Sequence, residues 1–172
     1  MSRTSSMNMT FQTVEQLADE GKFKARFSQA SSQLQQFSFY CINFTDSSNL
    51  RGSDRSLVND QLLVNVANLM IALLGTRISI GKTNKDRLEV ILPGLNKADA
   101  IKTAGELREK LEEQFCHKMP GLGIALGLAT HPVDTDEKYN IRDLAAAGAD
   151  EATKLGQNRI FAAVSAADRA KG

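Results

Sequence analysis

Tryptophan is absent from this sequence, and only three prolines, two cysteines and two histidines occur in its 172 residues. Each scarcity excludes something. Two cysteines, Cys41 and Cys116, cannot form the framework of a disulfide-stapled secreted domain. Neither they nor His117 and His131 stand at metal-ligand spacing, so the thiols read as buried groups of a reducing compartment and the histidines as surface residues. No apolar run nears the roughly 18–20 residues that span a bilayer. The opening MSRTSSMNMT has no apolar signal core. The expectation is a cytoplasmic protein without a membrane span. Charge of one sign is not in excess either: 21 Lys+Arg face 20 Asp+Glu, a formal net charge of +1, which argues against a DNA-binding role.

What is present suits one domain with a sizeable core, since 42% of the residues are hydrophobic and no Pro-rich or low-complexity linker divides them. Residues 1–11 read as a flexible tail, 12–164 as the domain, and 165–172 as a second tail. Val14, Leu17, Phe23, Phe27, Ala30 and Leu34 recur at helical spacing, with Gly21 weakening the early part. Phe37–Phe44 (FSFYCINF) is aromatic and apolar on both faces, as in a strand covered on both sides. Leu62, Val66, Leu69 and Leu73 predict a helix that ends near Gly75. Arg77–Ile80 and Leu88–Leu92 predict a hairpin around the polar stretch GKTNKD. Asn96 caps a helix striped by Ala98, Ile101, Ala104, Leu107, Leu111 and Phe115. LGIALGLAT predicts a buried strand whose glycines imply close approach by a neighbouring backbone. A helix through Ile141, Leu144, Ala145, Ala149 and Ala152 and a strand at Arg159–Val164 close the chain. This order predicts an α/β domain in which helices flank a mixed central sheet of about five strands.

The hairpin carries the strongest chemical signal. Lys82, Lys85, Asp86 and Arg87 fall within the six residues Lys82–Arg87, around a turn. Three cations there predict either a site for a phosphate-like anion or a charged tip that keeps a short hairpin in water. Asp86 is either a lone metal ligand or a turn residue bonding its own backbone.

Three stretches together resemble the GGDEF domain of bacterial diguanylate cyclases. NKDRLEVILPG (Asn84–Gly94) lies over the Gly-Gly-Asp-Glu-Phe hairpin and the strand after it. LGQNRIF (Leu155–Phe161) is similar to the closing Gly-x-Asn-Arg pattern. GIALGLAT matches the strand that reads Ser-Ile-Gly-Ile in that family. The resemblance implies the nucleotidyl-cyclase-like fold. It also implies where the chemistry would sit. In the family the two glycines admit GTP phosphates close to the backbone, and carboxylates hold divalent metal. Here the glycines are replaced by Asn84 and Lys85, the second acidic position by Arg87, and the first-strand aspartate by Asn43. Asp86 and Asp60 remain as acidic positions, Arg51 stands where a guanine-reading Asn is found, and the final-helix Lys falls at Thr153 or Lys154. The product-binding Arg-x-x-Asp motif is missing from Gly75–Ile78 (GTRI).

Two functions stay open on this basis. The first is a catalytically inactive GGDEF-like domain that binds a signalling protein, or a nucleotide such as GTP or cyclic di-GMP through a basic rim of Lys82, Lys85, Arg87 and Arg51, with no cofactor. The second is a weak or altered nucleotidyl-transfer enzyme that uses GTP and Mg²⁺ and rests on Asp86 and Asp60.

Overall fold

The computed structural model describes residues 10–47, 56–138 and 140–155, and the backbone of 159–162. Four helices and five strands alternate as expected. They are α1 (Glu20–Gln33), β1 (Phe37–Asp46), α2 (Asp60–Leu74), β2 (Ser79–Asn84), β3 (Arg87–Pro93), α3 (Lys97–Leu111), β4 (Leu122–His131), α4 (Asn140–Leu155) and β5 (Arg159–Ala162). The sheet runs β2-β3-β1-β4-β5. Its pairs are antiparallel except β4 with β5, which are parallel. The mixed five-stranded sheet flanked by helices is therefore present.

Alternation along β1 divides the core. Tyr40, Ile42 and Phe44 face α2 and α3, where Leu63, Val66, Met70, Ala104 and Leu107 complete one cluster. Phe37, Phe39 and Cys41 face α1 and α4, where Phe23, Phe27, Ile141, Ala145 and Ala149 complete the other. Successive side chains of a strand point to opposite faces, so a central strand covered on both sides must be apolar throughout. Burial pushes the Cys41 thiol up to about 12 and the Cys116 thiol up to about 11. Native protein treated with a thiol reagent at pH 8 is expected to label Cys116 slowly and Cys41 more slowly still, both becoming fast in denaturant. Rapid native labelling of Cys41 would contradict the closed sheet.

Several boundaries differ from the sequence expectation, each for a local reason. The first helix starts at Glu20, because the Asp19 carboxylate accepts from the Lys22 N–H at 2.8 Å and fixes the N-terminus there. Residues Val14–Gln16 form a separate 3₁₀ turn. Phe11 does not behave as tail. Its N–H donates to Asn68 Oδ1 at 2.6 Å and its carbonyl accepts from Asn68 Nδ2 at 2.9 Å, which straps the segment across α2. Asn96 caps α3 as expected, accepting from Asp99 N–H at 2.8 Å. Gly75 ends α2 with φ of 95°. His131 is buried rather than superficial. The β1–β4 pairing runs on to Phe37 and His131, the two rings stack with centroids 5.6 Å apart, and Nδ1 lies 3.1 Å from the Gln35 carbonyl.

Candidate functional site

The hairpin turn is tighter than its charge suggested. β2 continues through a bulge between Lys82 and Asn84, leaving Lys85 and Asp86 as the turn itself. The Asp86 carbonyl accepts from Phe44 N–H at 2.9 Å, which pins the tip to the end of β1. Beside it opens a cleft of about 470 Å³ lined by Phe44, Thr45, Asp46, Ser56, Val58, Lys85 and Asp86. Its floor is the end of β1, and its far wall leads to α2. Asp46 holds that wall by accepting from Leu57 N–H at 2.8 Å. Asn59 caps α2, accepting from Leu62 N–H at 2.9 Å.

The cations singled out in the sequence do not converge on the cleft. Lys85 lines it and is exposed. Lys82 sits within β2 and reaches Asp60 at the first turn of α2, Nζ to Oδ1 3.0 Å. Arg87 lies on the sheet face that packs against α4. Its Nε donates to Asn43 Oδ1 at 2.8 Å and its Nη2 to Asp150 Oδ1 at 3.0 Å. Register explains the first contact, because Asn43 and Arg87 are direct cross-strand partners. Asn43 Nδ2 in turn donates to Asp150 Oδ1 at 3.0 Å and approaches Thr153 Oγ1 at 3.3 Å. Of the two positions at which the final-helix lysine falls, Thr153 joins this network. Lys154 is exposed and lies 3.9 Å from Glu151. Arg51 lies outside the described residues.

Asp150 was invisible to sequence reasoning, since an acidic residue on an amphipathic helix looks like any solvated position. Glu89 and Arg142 were missed as well. Glu89 is 2% exposed in the middle of β3. Arg142 of α4 pairs with it through two of its three nitrogens, Nε to Oε1 2.6 Å and Nη2 to Oε2 3.0 Å. The hydrogen bond with Glu89 raises the Arg142 pKa, burial opposes that shift, and Glu20 reinforces it. A glutamate inside LEVILP was the available signal, because a buried strand carries a charge only if a partner reaches it. Among the described residues no group of three or more His, Cys, Asp or Glu side chains is placed to hold a metal ion.

No family model matches the sequence, and no curated protein matches it. Solved structures do. The active GGEEF domain of a diguanylate cyclase from Vibrio cholerae is 17% identical with a TM-score of 0.69, the match covering 87% of this chain and 99% of that one. The coiled coil and GGDEF domain of DgcB from Caulobacter crescentus, in complex with c-di-GMP, is 14% identical with a TM-score of 0.72, covering 94% and 89%. Diguanylate cyclase SiaD from Pseudomonas aeruginosa, in complex with its activator SiaC, is 16% identical with a TM-score of 0.71, covering 94% and 64%. The chain has the GGDEF fold. The β2–β3 turn is the stretch over which the sequence resemblance laid the Gly-Gly-Asp-Glu-Phe hairpin. No helix among the described residues is long and apolar enough to cross a membrane.

Proposed function

We propose that this GGDEF-fold domain is catalytically inactive and acts by binding, with a signalling protein as partner and a nucleotide as the second candidate, in signalling related to cyclic di-GMP. One observation carries the reading: the Arg87 guanidinium stands against Asn43 and Asp150, on ground where the family resemblance calls for metal-holding carboxylates. Both oxygens facing it already accept from it. A divalent ion there would have to take Asn43 Oδ1 and Asp150 Oδ1 from the guanidinium that already holds them. The residues present do not fit a Mg²⁺ ion at that position.

Binding by cations alone draws little support from the same geometry. Lys82 and Arg87 are neutralised by Asp60 and Asp150, which leaves Lys85 as the described basic-rim residue that faces the cleft. SiaD is held with a protein activator and DgcB with c-di-GMP. By analogy we take a protein partner first and a nucleotide second. The enzyme reading keeps one supporting fact, that Asp86 lines the cleft.

Purified protein incubated with GTP and Mg²⁺ or Mn²⁺ is expected to form no cyclic di-GMP; robust formation overturns the inactive reading. An Asp86→Ala variant would then show whether that carboxylate is responsible. Calorimetric titration with GTP and with cyclic di-GMP, each with and without Mg²⁺, separates the remaining cases. Heat that vanishes on Lys85→Glu assigns nucleotide binding to the turn, and silence at high micromolar nucleotide leaves the protein partner.

A further inference from the structure

We propose that Arg142 couples the start of α1 to the tip of the β2–β3 hairpin, so that whatever shifts residues 18–20 also shifts Lys85 and Asp86. The inference goes beyond the binding role and holds whatever the cleft binds. One guanidinium joins three elements. It is paired twice with buried Glu89 of β3, and its Nη2 also lies 2.5 Å from Oε1 of Glu20, the first residue of α1. The group rests over the Phe23 ring of α1, 5.5 Å from the centroid. From β2, the Thr83 hydroxyl donates to the same Glu89 carboxylate.

A backbone link runs in parallel with this side-chain link. Ala18 pairs with the free edge of β2, its N–H donating to the Ile80 carbonyl at 3.4 Å and its carbonyl accepting from Lys82 N–H at 2.8 Å. Gly81 between them has no side chain because Phe23 is against it, and an added Cβ would come within 2.6 Å of that ring. Residues 18–20 are thus fixed to residues 80–83 twice, the nearer attachments, Lys82 and Thr83, lying three and two positions before Lys85. The links differ in strength. Glu89 is dry, so it has no water to take in place of Arg142, whereas the Glu20 side chain is 54% exposed. Movement of Glu20 therefore acts on a node that stays bound to the hairpin. A planar fork can serve Glu20 and Glu89 together, which a lysine ammonium on a flexible stem does not do. The input this arrangement suits is a partner or adjoining segment bearing on residues 10–20.

Hydrogen exchange of the full chain, read by mass spectrometry, tests the coupling without any ligand, so its failure is distinct from failure of the binding role. Glu20→Gln is expected to raise exchange in peptides covering residues 79–88 by about two- to five-fold, the size suited to a half-exposed charge pair. Peptides covering 122–131 should not change. Thr83→Val supplies the second arm: in the double variant the hairpin should exchange no faster than in the faster single. The proposal stands only when both results are seen. An unchanged hairpin, an equal rise throughout the chain, or a double variant that multiplies the two single effects overturns it. Arg142→Lys should reproduce Glu20→Gln or exceed it, and where that variant fails to fold the other arms still decide.

Discussion

Alanine at position 127 is expected to lower the unfolding free energy by about 3 kcal/mol or more, and valine there to abolish folding. Gly127 lies in the middle of β4, between Cys41 of β1 and Phe161 of β5 in register. A Cβ built on it would fall 2.1 Å from the Ala145 carbonyl oxygen and 2.2 Å from the Ala149 nitrogen. Those are backbone atoms of α4, which cannot swing aside as a side-chain end can. The helix would have to lift off the sheet along its whole buried face of Ile141, Ala145, Gly148, Ala149 and Ala152. Overpacking typically costs about 1–3 kcal/mol when side chains can adjust, so rigid backbone sets the expectation at or above that range. A domain of this size commonly has only about 5–15 kcal/mol in total. Gly105→Ala is the control. That glycine is inside α3 with nothing within 4 Å of an added Cβ, so the same substitution should stabilise by about 0.5–1 kcal/mol. Urea unfolding of the three proteins reads both signs, and a wild-type midpoint for Gly127→Ala would mean that α4 is not where it is described.

That contact also shows what the sequence discloses and what it withholds. Two glycines inside an apolar strand announced a close neighbour. The row of small residues in AAAGADEA that supplies it shows in the sequence only as an apolar stripe, because Gly148 contributes nothing to a hydrophobic pattern. Element order, the covered central strand and the Asn96 cap were legible because each rests on local chemistry or on a period. The hairpin's chemistry was legible as composition but not as geometry. Lys82, Lys85 and Arg87 are adjacent in the chain, yet pleating and the bulge send them to α2, to the cleft and to α4. Their partners Asp60 and Asp150 lie 22 and 63 residues away. No spacing rule connects such positions, since only the tertiary placement of α2 and α4 brings them together. The start of α1 differs from the periodicity for a local reason. The Asp19 cap competes with an apolar period that continues upstream into Val14 and Leu17, and those residues are apolar because they pack on the α2 side of the sheet.

Removing the guanidinium beneath Glu89 is the other change with a large expected effect. Arg142→Met should cost about 3–5 kcal/mol, the range for stripping one partner from a buried ion pair. It leaves a carboxylate that is 2% exposed with the Thr83 hydroxyl as its remaining donor among the contacts described above. The double variant Arg142→Met with Glu89→Leu should recover most of that loss, because an apolar pair of similar volume has no ion to desolvate. If Arg142→Met alone costs less than about 1 kcal/mol in urea unfolding, the pair is not shielded from water as described. Arg87→Ala makes the instructive contrast. Its pair with Asp150 runs in the opposite sense between the same two elements, cation on β3 and anion on α4, but the two side chains are 25% and 59% exposed. Solvent screening limits such a pair to about 0–1 kcal/mol. The charge pair at the proposed site is therefore separable from the one that holds the sheet to its helix. Changes at Arg87 can be read for binding or activity in protein that remains folded, and changes at Arg142 report first on the fold.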